Sequence, residues 1–234
     1  MVQKMKILLF LFLYILAVVP SGYSRKMLID NFDDTDLVNE FGGSNNSWIN
    51  SPGDKTIGCM GLFEQEDTGY SLKLCYDVDS SLTYISNSAY ILDYSDYSII
   101  GLASKVPHMA FCGYYFLLKK PVMSEYKYLI FYAKGSEEAG YTRRFKIELK
   151  TENQVSGYIV EGVTDKWKKF TIPLSVFEKI DDWEDLTEMV IVFNELVTDK
   201  KGIIYFDDIY FAGSPDDVYG FQNDDPRIVG GGEE

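Results

Sequence analysis

The residues of this sequence that could carry out catalysis are few and widely spaced. His108 is the only histidine, which excludes histidine-rich metal sites and argues against a Ser-His-Asp triad. Acids such as Glu148 and Glu161 are available, but a glycosidase needs two carboxylates about 5–10 Å apart. Nothing in the sequence pairs two acids in this way, so we predict a protein that is not an enzyme.

The sequence contains three cysteines, Cys59, Cys75 and Cys112. Their spacing matches no metal site. All three lie inside apolar, strand-like runs, where a free cysteine behaves as a small hydrophobic side chain. We therefore expect no disulfide, and the alternative for an exported protein is one disulfide with one leftover thiol.

Most of the chain reads as β-strands separated by turns. In one run, Phe145, Ile147 and Leu149 alternate with charged residues, which is typical of a half-exposed strand. Eight to ten such runs with almost no helix predict an all-β protein, a two-layer antiparallel β-sandwich, with a β-barrel as the alternative. The predicted strands are 28–32, 56–65, 70–77, 111–118, 128–134, 143–150, 158–163, 167–173, 189–194 and 203–211. Single helical turns are expected near 175–177 or 183–186.

The N-terminus has the pattern of a secretory signal peptide. Two lysines precede a continuous apolar run at 7–19, which Pro20 and Gly22 end. This run is shorter than the span of about 20 residues that a membrane helix needs. We predict that residues 1–24 are a signal peptide and that the protein is exported, to the periplasm, the cell surface or the medium, with no membrane insertion after cleavage. An uncleaved anchor is the alternative.

Composition limits the partners of the predicted single domain at 25–213. The net charge of −14 argues against nucleic acid and against anionic membrane surfaces, and it permits neutral ligands and cations. Tyrosine is abundant, which suits both stacking on apolar ligand surfaces and half-buried strands. Residues 80–108 are predicted to form a long loop. Residues 214–234, rich in glycine and acids, are predicted to form a flexible tail.

An ordered set of motifs gives the sandwich a family resemblance. The motifs are Tyr-Lys-Tyr-Leu-Ile-Phe-Tyr-Ala-Lys-Gly at 126–135, a Phe-x-Ile-x-Leu strand, Asp-Lys-Trp-Lys-Lys-Phe-Thr-Ile-Pro-Leu at 165–174, and Ile-Tyr-Phe-Asp-Asp-Ile-Tyr-Phe at 204–211. Leu-Ile-Asp-Asn-Phe-Asp-Asp at 28–34, followed by Gly42, Gly43 and Trp48, fits the same template. This order resembles jelly-roll, galactose-binding-like β-sandwiches, especially carbohydrate-binding modules of family 11 and its relatives.

The resemblance implies a glycan bound on the concave face of one sheet. Aromatic rings would stack there on the apolar face of a sugar, and polar groups would fix its orientation. The predicted ligand-binding residues are Tyr114, Tyr132, Arg144 and Tyr158. Further candidates are Tyr115 in place of Tyr114, Lys146 and Glu148 beside Arg144, Trp48, and the loop residues Tyr90, Tyr94 and Tyr97.

The resemblance also implies a structural Ca²⁺ near the first and last strands. Calcium binds several hard oxygens, largely from carboxylates and carbonyls. Asp33 follows the first strand, and Asp207 lies in the last strand, where simple alternation turns its side chain inward. Both are predicted metal ligands. The alternative is that these acids cap turns or bind backbone amides.

Together these observations predict an exported, non-catalytic protein like a carbohydrate-binding module, whose partner is a polysaccharide or another glycan. The alternative is a surface or assembly protein that uses the sandwich to bind another exported protein. The fold by itself does not decide between the two.

Overall fold

The structure is a computed structural model that describes residues 25–50, 58–66, 69–79 and 110–217. The predicted signal peptide at 1–24, the predicted loop at 80–108 and residues 218–234 of the predicted tail lie outside these ranges. Within them, no helix is both long and apolar enough to span a membrane.

The described chain folds into eleven β-strands and two single-turn 3-10 helices, so the predicted all-β class is confirmed. The helices are Leu174–Val176 and Trp183–Asp185. The strands are β1 (Lys26–Asp30), β2 (Asn45–Asn50), β3 (Gly58–Glu66), β4 (Gly69–Asp77), β5 (Phe111–Leu117), β6 (Tyr128–Gly135), β7 (Arg144–Thr151), β8 (Val155–Glu161), β9 (Lys168–Pro173), β10 (Leu186–Asn194) and β11 (Lys201–Ala212).

These strands form two antiparallel sheets. The six-stranded sheet has the order β3-β4-β11-β6-β9, with β1 also paired to β11. The five-stranded sheet has the order β2-β5-β10-β7-β8. Neighbours in each sheet are mostly distant in sequence, and the two layers form the predicted sandwich.

Aromatic rings from both sheets meet in the core. Phe131 of β6 and Phe206 of β11 face Phe145 of β7, with ring centroids 6.2 Å and 5.2 Å from that of Phe145. All three side chains are almost fully buried. Burial of each such ring contributes about 1.5–3 kcal/mol, so these alternating apolar positions hold the two sheets together.

Strand β2 lies between two predicted strands, in a segment for which the sequence predicts no strand. It pairs with β5 at the edge of the five-stranded sheet. Its inward residue Asn45 donates from Nδ2 to Asp30 Oδ2 at 2.6 Å, and its Oδ1 accepts from Asn39 Nδ2 at 2.8 Å. Side-chain hydrogen bonds therefore hold the start of this strand where apolar residues would be expected.

A bulge in β11 overturns one predicted orientation. Ile204 and Phe206 lie in the core before the bulge, and Ile209 and Phe211 lie in the core after it. The register shifts between Asp207 and Tyr210. The extra residue restores inward positions for the apolar side chains and leaves Asp207 on the outer side, opposite Tyr132. The prediction that Asp207 points inward is therefore wrong.

The first residues of the predicted tail are held against the six-stranded sheet. Lys169 Nζ donates to the carbonyls of Pro215 and Asp217, at 2.9 Å and 3.0 Å. The Tyr210 hydroxyl donates to the carbonyl of Asp217 at 2.7 Å. Residues 214–217 thus pack on the outer side of β9 and β11.

Candidate functional site

The outward side of the five-stranded sheet carries aromatic and charged side chains that are suited to binding a ligand. Core residues alternate along each strand, and the residues between them point away from the core. We call this surface the outer face. Its central members are Trp48, Phe111, Gly113, Tyr115, Val190, Val192, Lys146, Glu148, Gly157 and Ile159.

Three aromatic side chains occupy the β2–β5 half of this face, and all are half-buried. The rings of Trp48 and Phe111 meet edge to face, with centroids 5.5 Å apart and planes at 71°. A Cβ at Gly113 would lie 3.0 Å from two atoms of the six-membered ring of Trp48. The absence of a side chain at Gly113 therefore lets the indole lie close against β5. Tyr115 follows on the same strand.

A buried ion pair occupies the β7 half. Lys146 Nζ lies 2.7 Å from Glu148 Oε1, and the two side chains are only 2% and 4% exposed. A Cβ at Gly157 on β8 would lie 2.3 Å from Lys146 Cε, so this glycine leaves the space in which the lysine lies. Buried charges are stable only when paired. The pair is therefore a fixed part of the sheet surface.

Two valines of β10 separate these halves. Val190 pairs with Tyr115 and Glu148, and Val192 pairs with Gly113 and Lys146. Both valines are buried although they point outward. Trp48 and Lys146 are three strands apart, or about 14 Å at the usual spacing. The three aromatic side chains are half-buried, whereas the valines and the ion pair are buried. The aromatic half is therefore the more accessible part of the face for an apolar ligand surface.

Arg144 stands at the end of the same face, and it is exposed. Its Nε donates to the carbonyl of Val197 at 2.7 Å. That carbonyl belongs to a turn in which Asn194 Oδ1 accepts the backbone amides of Leu196 and Val197, each at 3.0 Å. The guanidinium is therefore anchored through one nitrogen, and its role in ligand binding stays a prediction.

The other three predicted ligand residues do not lie on this face. Tyr114 is 1% exposed and packs in the core, because it alternates with the outward Gly113 and Tyr115. Tyr158 also turns inward and meets Phe177 edge to face at 6.3 Å. Tyr132 points outward from the other sheet, but it is 2% exposed. The predicted grouping of these tyrosines with Arg144 on one exposed face is therefore wrong.

The sequence gives no indication of Phe111 as a binding residue, and it offers Tyr115 only as an alternative to Tyr114. On β5 the inward residues are Cys112, Tyr114 and Phe116, so a strict period of two would have separated Tyr115 from Tyr114. Trp48 is only a further candidate from the sequence, because its segment does not have the pattern of a strand. The loop candidates Tyr90, Tyr94 and Tyr97 lie outside the described residues.

The predicted calcium ligands are engaged with the backbone. Asp33 Oδ1 accepts the amide of Tyr70 at 3.0 Å, and Asp207 Oδ1 accepts the amide of Asp208 at 2.8 Å. In the ranges that the structure covers, no three acidic, histidine or cysteine side chains group as metal ligands. These residues do not by themselves form a calcium site, and the site stays a prediction.

Compared with protein-family models and with curated proteins, the sequence has no match. Solved structures of similar fold do match. One is a family 11 carbohydrate-binding module from Clostridium thermocellum in complex with a β-1,3-1,4-mixed-linked tetrasaccharide. Its TM-score is 0.55 at 15% identity, and the match covers 83% of this chain and 98% of that chain.

Two further structures extend the comparison. A family 30 carbohydrate-binding module matches with a TM-score of 0.53 at 16% identity, covering 88% of this chain and 96% of that one. An exo-β-agarase matches with a TM-score of 0.50 at 11% identity, but over only 24% of its own chain. The predicted resemblance to jelly-roll carbohydrate-binding modules is thus confirmed at the level of the fold.

Proposed function

We propose that this chain is an exported, non-catalytic protein that binds a glycan on the outer face of its five-stranded sheet. The observation that carries the proposal is the group of half-buried aromatic rings, Trp48, Phe111 and Tyr115, on one half of that face. The similarity in fold to carbohydrate-binding modules of families 11 and 30 supports it.

The chemistry of the aromatic half suits a pyranose ring. The C–H face of such a sugar is apolar, and an indole or phenol ring can cover it. Trp48 is fixed by Gly113 beneath it and by Phe111 at its edge, so binding would cost little side-chain entropy. Tyr115 adds a hydroxyl that can both donate and accept hydrogen bonds.

Polar groups flank the aromatic half of the outer face and would orient the sugar. Asn46 is exposed beside Tyr115, and Arg144 is exposed at the far end of the face. Arg144 uses Nε for the Val197 carbonyl, so its terminal nitrogens are the part that would reach sugar hydroxyls. The Glu148 carboxylate is buried and paired with Lys146, which argues against acid catalysis by this group.

A neutral β-glucan is the ligand class to test first. The net charge of −14 disfavours anionic polysaccharides, and the family 11 module of similar fold was solved with a β-1,3-1,4-mixed-linked tetrasaccharide. We therefore propose a linear, neutral β-linked glucan as the ligand.

Affinity electrophoresis through gels with and without mixed-linked β-glucan tests the proposal, and titration calorimetry gives the Kd. Covering about 80 Å² of apolar indole surface contributes about 2 kcal/mol, so Trp48→Ala should weaken binding about thirty-fold. Tyr115→Ala should weaken it too. Incubation of the protein with this glucan should release no reducing sugar, because the proposed role is not catalytic.

The matched control is Tyr205→Ala, which removes a half-exposed tyrosine from the outer side of the other sheet. Its Kd should equal that of the unmodified protein. If no polysaccharide on a glycan array binds, or if Trp48→Ala and Tyr115→Ala bind as well as the control, the proposed face is not a glycan site.

One observation favours the second candidate, contact with another protein. Met60 and Leu62 point outward from β3, and they are 52% and 41% exposed. β3 is an edge strand of the six-stranded sheet, and apolar edges are common protein contact sites. A pull-down that recovers a stoichiometric protein partner, and loses it with Leu62→Lys but not with Trp48→Ala, would favour this candidate.

A further inference from the structure

Two of the three cysteines meet across the interior of the sandwich. Cys112 on β5 lies in the core, and Cys59 on β3 packs against the same core. The Cys59 thiol lies near enough to Cys112 for the two side chains to interact. Cys112 Sγ also contacts the carbonyl of Gly58, the residue before Cys59, at 3.1 Å. In the structure both cysteines are free thiols.

Beyond the cysteines, the next inward residues of β3 and β5 lie against each other or against a shared neighbour. Two residues beyond the cysteines, a Cβ at Gly61 would lie 2.5 Å from Cε2 of Tyr114. Two residues further, Phe63 and Phe116 both pack on Phe32, with ring centroids 6.5 Å and 6.3 Å away. Because Gly61 has no side chain, the Tyr114 ring of β5 packs directly against the backbone of β3 beside the two cysteines.

The third cysteine lies on the other side of the six-stranded sheet. Cys75 alternates with the core residues Leu74 and Tyr76 on β4 and pairs with Met60 and Ile203. Its side chain therefore points away from the interior. The placement of the three thiols singles out one pair.

Contrary to the expectation from the sequence, we propose that Cys59 and Cys112 form a disulfide under oxidising conditions, which ties β3 to β5 and leaves Cys75 as a thiol. The reaction is exchange with a low-molecular-weight or protein disulfide. One cysteine thiolate attacks that disulfide, and the second cysteine displaces the bound half. The two protein thiols lose two protons and two electrons, and the oxidant is reduced to two thiols.

The bond forms most readily before the sandwich has closed. Cys112 is fully buried. Contact with Cys112, and then burial, raise the pKa of the Cys59 thiol well above its ordinary value. Because the thiolate is the reacting form, the folded protein reacts slowly. Refolding in the presence of the oxidant removes this barrier.

The test refolds the purified, reduced protein from urea in a glutathione redox buffer, alkylates the remaining thiols and maps the peptides without reduction. The expected product is a peptide pair joined through Cys59 and Cys112, with Cys75 alkylated. The melting temperature should rise by roughly 5–15 °C relative to the reduced protein, and dithiothreitol should reverse the rise.

Two variants separate the proposed bond from other effects of oxidation. Cys75→Ser should keep both the linked peptides and the rise in melting temperature, whereas Cys59→Ser should lose both. The peptide map of the unmodified chain decides the matter even if Cys59→Ser does not fold. Alkylation of both Cys59 and Cys112, or a bond from either one to Cys75, overturns the proposal.

Discussion

Asp30 is the buried acid at the end of β1, and its substitution by asparagine should change how stability depends on pH. Burial raises the pKa of the Asp30 carboxyl to about 7, helped by the nearby charges of Asp34 and Glu40. The hydrogen bonds from the Phe32 amide and from Asn45 Nδ2, at 2.8 Å and 2.6 Å, oppose this shift but do not outweigh burial.

Proton linkage gives the direction and the size of the change in the free energy of unfolding with pH. The unfolded chain releases the Asp30 proton near an ordinary pKa of about 3.9, whereas the folded chain keeps it up to a pKa of about 7. Between these two values the unfolded state binds fewer protons, so the free energy of unfolding falls as pH rises. The total loss from this residue is at most about 4 kcal/mol, and it is complete above the folded pKa.

Urea unfolding followed by tryptophan fluorescence, at several values between about pH 4 and pH 8, measures this dependence. Asp30→Asn should remove up to about 4 kcal/mol of the fall between these limits. Asp36→Asn, which replaces an exposed acid in the loop after β1, is the control. The reasoning is refuted if Asp30→Asn shows the same dependence on pH as the unmodified protein and the Asp36→Asn control.

Three further outcomes are expected from other parts of the molecule. A chain ending at Gly213 should have a melting temperature several degrees below that of a chain ending at Asp217. Each lost buried hydrogen bond contributes about 1 kcal/mol. Equal melting temperatures would show that residues 214–217 do not stabilise the sheet. In urea unfolding, Lys146→Met should reduce the free energy of unfolding by about 3–5 kcal/mol, since it leaves Glu148 buried without its partner. Lys146→Met combined with Glu148→Leu should recover much of this loss. If the predicted calcium site exists, a chelator should lower the melting temperature of the unmodified chain and have no effect on that of Asp207→Ala. An unmodified chain with the same melting temperature with and without chelator would refute the predicted site.

Much of the fold follows from the sequence because apolar residues alternate along its strands. The runs at 128–134 and 143–150 coincide with β6 and β7 to within a residue or two at each end. The segment that became β2 was not predicted, because Asn-Asn-Ser-Trp-Ile-Asn lacks an apolar stripe. Its inward position is held by the amide of Asn45, and such a tertiary hydrogen bond leaves no periodic signal in the sequence.

The candidate site was harder to predict because a strand has two faces. Alternation tells which residues share a side of a strand, but it does not tell which sheet the strand joins. Tyr132 is on an outward position as expected, yet β6 belongs to the six-stranded sheet and Arg144 to the five-stranded one. Asp207 shows a second limit, because a bulge resets alternation, and a single sequence does not mark its position.

The place of β11 in the six-stranded sheet has a consequence for how the protein is made. This strand lies between β4 and β6, and it also pairs with β1. It is the last strand of the described chain, so a ribosome must deliver all the other described strands before the sheet can close. Until then β4 and β6 each have an unpaired edge that other chains can join. The unpaired edges of β4 and β6 are therefore open to association with other chains until β11 pairs with them.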